Sequence, residues 1–431
     1  MVTTNIGRIF LDAYNEKYKT EYTPKTFFDE VFFPLFFDSS KYFQWVQNSP
    51  LVQKLKGNSK PVSEFTKEER LLKRDEIHKK IESGFRDASI APGYSASEEK
   101  EYATTSGQVT NIKMDVSDDD VYLSWYGSGL GVGVKGGYSI LFFDKVILLD
   151  IFDGWKVYRT VLDSFKELRG NQVNTWNAQW LAHKYGYDFN EDNPMENFGP
   201  WSDVKDGVAS IEMQTWTKVL IGVSRTFSSP RTMGYVYNFG QTNTTVGFIP
   251  FVLEQIRKPA QLYKKLFGGN FKQVEDLWTT KEALGTACRQ GVIGIKALEP
   301  KGLSEYYEGD IPKYKEEQII KFQTYQIWLL AMLNNEQLWD LSRDFAMLME
   351  EYAKSGAKGK TDNRRKAESV ISSKNKKDFV ENITSIISEV SEVEKFMEFA
   401  GIVNKMPTDN VPYLLTLLRL HYAAINNVKS K

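Results

Sequence analysis

The chain is poor in the residues that usually announce chemistry. Cys288 is its single cysteine, so no intrachain disulfide and no thiolate zinc site can form within it. The histidines are His78, His183 and His421, and their wide separation argues against an HExxH-type metal site. Neither sign of charge is in excess: 55 Lys and Arg face 56 Asp and Glu, for a formal net charge of -1. No global field draws the chain onto nucleic acid, and phosphate contacts must come from local patches. Long apolar runs are missing as well. The stretch from Ile140 to Ile151 contains charges and is too short to span a bilayer. The expected setting is a reducing cytoplasm, with no membrane partner. No GxxxxGK[ST] sequence and no Ser-His-Asp arrangement stands out. His183 reads as a capping or surface residue. Cys288 reads as a lone buried thiol, although Arg289 follows it.

What is present is a large aromatic and apolar content. The 431 residues are 41% hydrophobic and 14% aromatic, enough for two or three packed units. Spacing divides the chain into a helical N-terminal region (1–86), an α+β body (87–250), a helical connector (251–315) and a C-terminal helical bundle (316–431) with a basic loop. The expected fold class is α+β, with a mostly antiparallel sheet body. Ile6, Ile9, Phe10, Ala13 and Tyr14 recur at helical spacing. Thr23-Pro24 supplies a cap and a first-turn proline before Phe27, Phe28, Val31, Phe32 and Phe33, and Pro34 is expected to end or kink that segment. The rings from Phe27 to Trp45 suit a core, with a docking surface as the alternative. Residues 66–82 read as a charged helix with Leu71, Leu72, Ile77 and Ile81 as its apolar stripe.

In the body, Val121–Trp125, Tyr138–Phe143, Val146–Phe152, Ile211–Gln214 and Lys218–Val223 read as strands. Phe143–Val146 reads as a tight turn, and Trp155–Arg169 and Asn177–Tyr185 as helices. Further on, Phe251–Phe267 and Ile319–Tyr352 have wide apolar helical faces, and residues 377–400 and 411–427 continue the bundle. Pro407-Thr408-Asp409-Asn410 is expected to cap the last helix.

Neutral polar chemistry concentrates between residues 104 and 247. Clusters occur at Thr104–Gln108, Gly127–Gly133, Gly170–Gln172, Asn174–Asn177 and Asn238–Thr245. Asn and Gln can pair bidentately with adenine, and Thr can donate, accept or touch a thymine methyl. Asn171, Gln172, Asn174, Asn177, Gln179, Asn238, Gln241, Thr242, Asn243 and Thr244 are therefore candidate base-reading residues, with ordinary turn chemistry as the alternative. The alternating glycines at 127–133 read either as a strand lying against another backbone or ring, or as a surface that nucleic acid can approach. Phosphate contacts are expected from Arg225 and Arg231 and from the basic stretch carrying Lys358, Lys360, Arg364, Arg365, Lys366, Lys374, Lys376 and Lys377; a solvated loop is the alternative there.

A catalytic reading competes with this one. Asp203, Glu212 and Gln214 form D-x8-E-x-Q, which resembles the PD-(D/E)xK core of some restriction endonucleases with Gln in place of Lys. On a strand, Glu212, Gln214 and Lys218 would share a face, and the two carboxylates would hold Mg²⁺ beside a scissile phosphate. A third reading is a protein-interaction scaffold that docks through the N-terminal aromatics.

The amide-rich loops at 171–179 and 238–245, followed by a helical region from about 316 with a basic insert, resemble the large subunit of type I CRISPR surveillance complexes. The four-cysteine element of some such subunits is missing here, which sets that branch aside. The resemblance implies a non-enzymatic, cofactor-free subunit of a prokaryotic antiviral ribonucleoprotein. Its partners would be DNA, guide RNA and other protein subunits. The amide loops would read a short duplex motif while guide RNA reads the rest.

Overall fold

The computed structural model describes residues 1–43, 62–84, 115–238, 245–269, 271–280, 282–355 and 362–428. The chain forms two compact units, one of residues 1–251 with 288–292 and one of residues 252–287 with 293–431. The N-terminal region and the body, separate in the sequence reading, fall in the first unit; the connector and the bundle fall in the second.

The first unit is α+β. Helix α1 (Val2–Tyr18) buries Ile6, Phe10, Leu11 and Ala13. It crosses α3 (Asp118–Gly129) with almost no gap between the two backbones. A Cβ placed on Gly7 would sit 1.9 Å from the Leu123 carbonyl oxygen, and one on Gly127 1.9 Å from that of Thr3. Glycine is needed at both positions because each backbone occupies the space a side chain would take. The Thr23 cap forms as expected, as a capping box with Thr26 and with Pro24 in the first turn. Pro34 does not end its segment. The chain winds as a π-helix over Phe28–Phe32 and returns to α over Phe33–Phe36, with the Phe33 N–H bonded to the Phe28 carbonyl. The wider turn accommodates the hydrogen bond that Pro34 cannot donate. Phe10, Phe27, Phe28, Phe32, Phe33, Phe36 and Phe43 are buried, so the described rings from Phe27 to Phe43 are core. Trp45 lies outside the described residues.

Helix α2 (Lys67–Glu82) opens with a capping box between Thr66 and Glu69. Its inward stripe differs from the expected one: Leu72 is 56% exposed, while Lys73 and His78 are buried beside Ile77 and Ile81. His78 ties the element in, with Nδ1 2.6 Å from the Tyr122 hydroxyl and Nε2 2.8 Å from Asp29 Oδ1.

Three expected strands are helices. Val121–Trp125 lies within α3, capped by Ser117 and Asp120. Val146–Phe152 lies within α4 (Lys145–Ser164), whose Asp144 side chain accepts from the Val146 and Ile147 N–H groups, so the supposed hairpin turn is a helix cap. Lys218–Val223 lies within α6 (Trp216–Thr226). Helix α5 (Val173–Lys184) precedes it. The sheet is small and antiparallel, in the order β1 (Val132–Val134), β2 (Tyr138–Phe142), β3 (Thr232–Asn238), β4 (Thr245–Phe251). Of these, the sequence reading found β2; it assigned no strand over β3 or β4 and read 238–245 as an amide-rich loop. One sheet face is core: Ile140 pairs with Val236, Phe142 with Gly234, and Gly234 with Ile249. Gly234 lacks a side chain because the Phe251 ring lies over it, 2.4 Å from where a Cβ would be.

The second unit is helical: α7 (Leu253–Phe267), α8 (Ile319–Leu333), α9 (Gln337–Lys354), α10 (Asp362–Ile371), α11 (Lys376–Ile386), α12 (Val393–Lys405) and α13 (Val411–Val428) are its longer elements. The single helix expected over Ile319–Tyr352 breaks at Asn334, which takes the left-handed conformation (φ 49°). The expected helix at 377–400 is likewise two, α11 and α12. On α13, Arg419 is fully buried. It donates to the Ile371 carbonyl at 3.2 Å, the Ser373 carbonyl at 2.9 Å and Thr416 Oγ1 at 3.0 Å. A cation thus closes the C-terminal end of α10, where carbonyls converge. Among the described residues, no helix is long and apolar enough to cross a membrane.

Candidate nucleic-acid interface

The amides on α5 point into the fold. Asn177 is fully buried. Its Nδ2 donates to the Gly129 carbonyl at 2.7 Å and the Gly131 carbonyl at 2.9 Å, and its Oδ1 accepts from Trp155 Nε1 at 3.0 Å. Asn174 Nδ2 donates to Ser128 O at 3.1 Å and Gly131 O at 2.7 Å. Gln172 Oε1 accepts from the Ile211 N–H at 2.6 Å. Gln179 donates to Glu212 O at 2.7 Å and accepts from Gln214 Nε2 at 3.1 Å. Asn171 is exposed, but its neighbours are committed to main chain. Asn174 and Asn177 hold α5 against the turn before β1, Gln172 and Gln179 hold it to residues 211–214, and these four present no row of free amides. The glycine run is closed in the same way. Residues 127–133 are all buried, and a Cβ on Gly129 would meet the rings of Phe36 and Trp155 at 3.2 and 3.3 Å. The packing alternative weighed for these glycines is what the fold uses, on a helix end and a short strand.

The basic residues divide. Arg225 donates to the Tyr185 carbonyl, with its guanidinium 3.9 Å from the centroid of the Tyr187 ring, and so is held by its own unit. Arg231 is exposed, one residue before β3. The expected basic loop is in large part α10 and the start of α11, and it is laced with acids. Arg364 pairs with Glu350 at 3.4 Å and Lys366 with Asp362 at 3.2 Å and Glu389 at 2.8 Å. Lys374 pairs with Glu308 and Lys377 with Glu381, each at 3.7 Å. Hydrogen bonds from Lys366 and Tyr352 hold the Glu389 carboxyl below its usual range. Lys376 donates to the carbonyls of Asn404 and Met406 at 2.6 and 2.9 Å, closing the end of α12. Arg365 is exposed. Lys358 and Lys360 lie outside the described residues.

The carboxylates do not assemble as a nuclease core would. Asp203 and Glu212 are both exposed, on irregular chain held by a Trp201–Ile211 bridge instead of a strand. Gln214 is occupied by Gln179 and by the Thr215 N–H at 2.8 Å, and Lys218 is on α6. Among the described residues no group of three or more His, Cys, Asp or Glu is placed to hold a metal. His183 is neither cap nor simple surface: its ring stacks on Phe198 at 4.2 Å, and burial lowers its pKa. Cys288 is buried, which pushes its thiol up to about 11.

The sheet's second face carries a feature that the sequence reading missed. Tyr235 pairs with Phe248 and Met233 with Pro250, so these four share one face, on which Leu141 and Ser139 of β2 are fully buried and the β3–β4 edge reaches water. Phe248 is 57% exposed and Met233 40% exposed. The Phe248 ring meets Tyr235 edge-on at 5.1 Å and Phe143 at 5.7 Å, and Tyr235 lies 5.9 Å from Tyr237. Asn238 ends β3, paired with Tyr138. The β3–β4 connection carries Gln241, Thr242, Asn243 and Thr244, which lie outside the described residues. The signal was available: TMGYVYN and TVGFIPF flank a Gly, Asn and Thr connection, a pattern of two alternating runs around turn residues. No family model, curated protein or solved structure matches the chain.

Proposed function

We propose that the chain is a nucleic-acid-binding subunit of a larger assembly, and that it makes contact through the partly exposed rings at the β3–β4 edge of its sheet together with the β3–β4 connection. The observation that carries this reading is the cluster of Phe248, Tyr235 and Phe143 left partly in water on a regular sheet whose strands lead into the amide-rich residues 241–244. Water-facing rings on a firm platform suit bases, because every base has an apolar face to stack. With the α5 amides occupied, Gln241, Thr242, Asn243 and Thr244 are the remaining base-reading candidates. A net charge of -1 fits a subunit that shares its ligand with basic neighbours, as the resemblance to CRISPR large subunits implies.

The test is fluorescence anisotropy of labelled duplex DNA, single-stranded DNA and single-stranded RNA with the purified chain, from low to high salt. Binding that weakens as salt rises is expected. Absence of binding to all three at low salt contradicts the reading. In the same assay, replacing Gln241 and Asn243 together by Ala is expected to weaken cognate sequence more than random sequence. Purification from the native source is expected to bring along RNA of one defined length.

A further inference from the structure

We infer that a groove between α7 and the end of α8 binds an alkylammonium, the group that a free polyamine and a lysine side chain share. The groove holds about 470 Å³ and lies wholly within the second unit. Glu254, Lys258 and Gln261 recur along α7 at the spacing that puts them on one face, and that face lines the groove. Ile295, Ala331 and Met332 supply an apolar wall that a short methylene chain can cover. Gln255 is structural: its Oε1 accepts from the Ile295 N–H at 3.3 Å, and a Cβ on Gly294 would come within 2.2 Å of that oxygen.

The charges favour a cation. Lys258 donates to Glu336 Oε1 at 2.5 Å and Lys265 to Glu336 Oε2 at 2.6 Å. These two bonds hold the Glu336 carboxyl down to about 2, so the charge of Lys258 is already answered. Glu254 is exposed and forms no ion pair among the described residues. The other negative source is the end of α8. Asn334 closes it in the left-handed conformation, with its N–H on the Leu330 carbonyl at 3.1 Å. Among the described residues, the carbonyls of Ala331, Met332 and Leu333 accept no main-chain hydrogen bond, and they carry the negative end of the helix dipole.

Other occupants fit less well. A divalent metal ion needs more oxygens than one carboxylate brings. An anion would meet both Glu254 and the helix end. A neutral apolar molecule would cover the carboxylate without pairing it. An ammonium has the opposite charge and three donors on one atom, and its stem suits the apolar wall.

The experiment is a ligand-observed NMR titration of the full chain with cadaverine, Nα-acetyl-lysine amide, pentanol and pentanoate. Both amines are expected to bind, with pentanol and pentanoate at least about tenfold weaker. Glu254→Gln is expected to weaken both amines about tenfold, while Glu254→Asp, which keeps the charge, retains most of the affinity. Because Glu254 is exposed, unfolding midpoints of both variants should match the parent. Tighter binding of cadaverine assigns the groove to a free polyamine, and tighter binding of the lysine amide assigns it to a lysine of a partner protein. Pentanol binding as tightly as cadaverine, pentanoate binding more tightly, amine binding indifferent to Glu254→Gln, or no binding of either amine overturns the inference. None of these outcomes bears on nucleic-acid binding by the first unit.

Discussion

On α5, Asn177 is fully buried and bonds to Gly129, Gly131 and Trp155. On β4, Phe248 is 57% exposed, with two rings beside it and nothing described above it. An amide that would suit a ligand is inside, and a ring that would suit a core is outside. The contrast teaches that side-chain chemistry alone does not mark a contact surface. A helix lying against a glycine-rich turn has carbonyls to satisfy, and amides do so. A short sheet whose second face is covered over β2 but not at its β3–β4 edge leaves rings such as Phe248 in water.

Asn177→Leu probes the inward side of this contrast most severely. It strands the buried Gly129 carbonyl and the Trp155 indole N–H, while Gly131 keeps its bond from Asn174, and the expected loss is about 3 kcal/mol, read as a lower denaturant midpoint. A loss under about 0.5 kcal/mol would mean that the amide is not a structural tie. Near that size is an effect of pH at His421, another inward polar group. Burial, and then the charge of Arg343, lower its pKa to about 3. The unfolded chain takes up this proton near the ordinary value of about 6.5. Between these values the unfolded state binds more protons, so stability falls as pH drops from about 6.5 towards 3. The contribution is on the order of 2 kcal/mol at pH 5. His421→Leu should flatten that part of the curve in thermal melts at pH 7.5 and pH 5; an unchanged slope would show that His421 is protonated in the fold. Of comparable size is Gly127→Ala, which forces α1 and α3 apart and should cost about 1–3 kcal/mol without altering nucleic-acid affinity in the protein that remains folded.

Much of the helical architecture could be read from spacing and caps. Thr23-Pro24 and Thr66 did mark helix starts, and the periodicity around Phe10 did mark a buried face. The errors share one cause. Val121–Trp125, Val146–Phe152 and Lys218–Val223 are runs rich in β-branched and aromatic residues, too short to display a helical period, whether buried all round as the first is or lying on amphipathic helices as the other two do. For the first two, the caps Ser117 and Asp144 were the distinguishing signal; α6 has no side-chain cap. The candidate site was partly legible. Arg231 and the residues at 241–244 were singled out, but Tyr235 and Phe248 were not, because the runs on either side of the amide-rich loop at 238–245 were assigned no strand. The α5 amides misled because nothing in a sequence tells whether the carbonyls that an Asn can satisfy belong to a ligand or to Gly129 and Gly131.

The most direct measurement sets the two sides against each other in one titration: nucleic-acid affinity of Phe248→Ala beside that of Gln179→Ala. Gln179 is the more accessible α5 amide, so its loss should leave the fold standing. The account predicts an affinity about tenfold weaker for Phe248→Ala and within about twofold of the parent for Gln179→Ala. The reverse pattern, with Gln179→Ala losing the ligand and Phe248→Ala keeping it, would contradict the central claim.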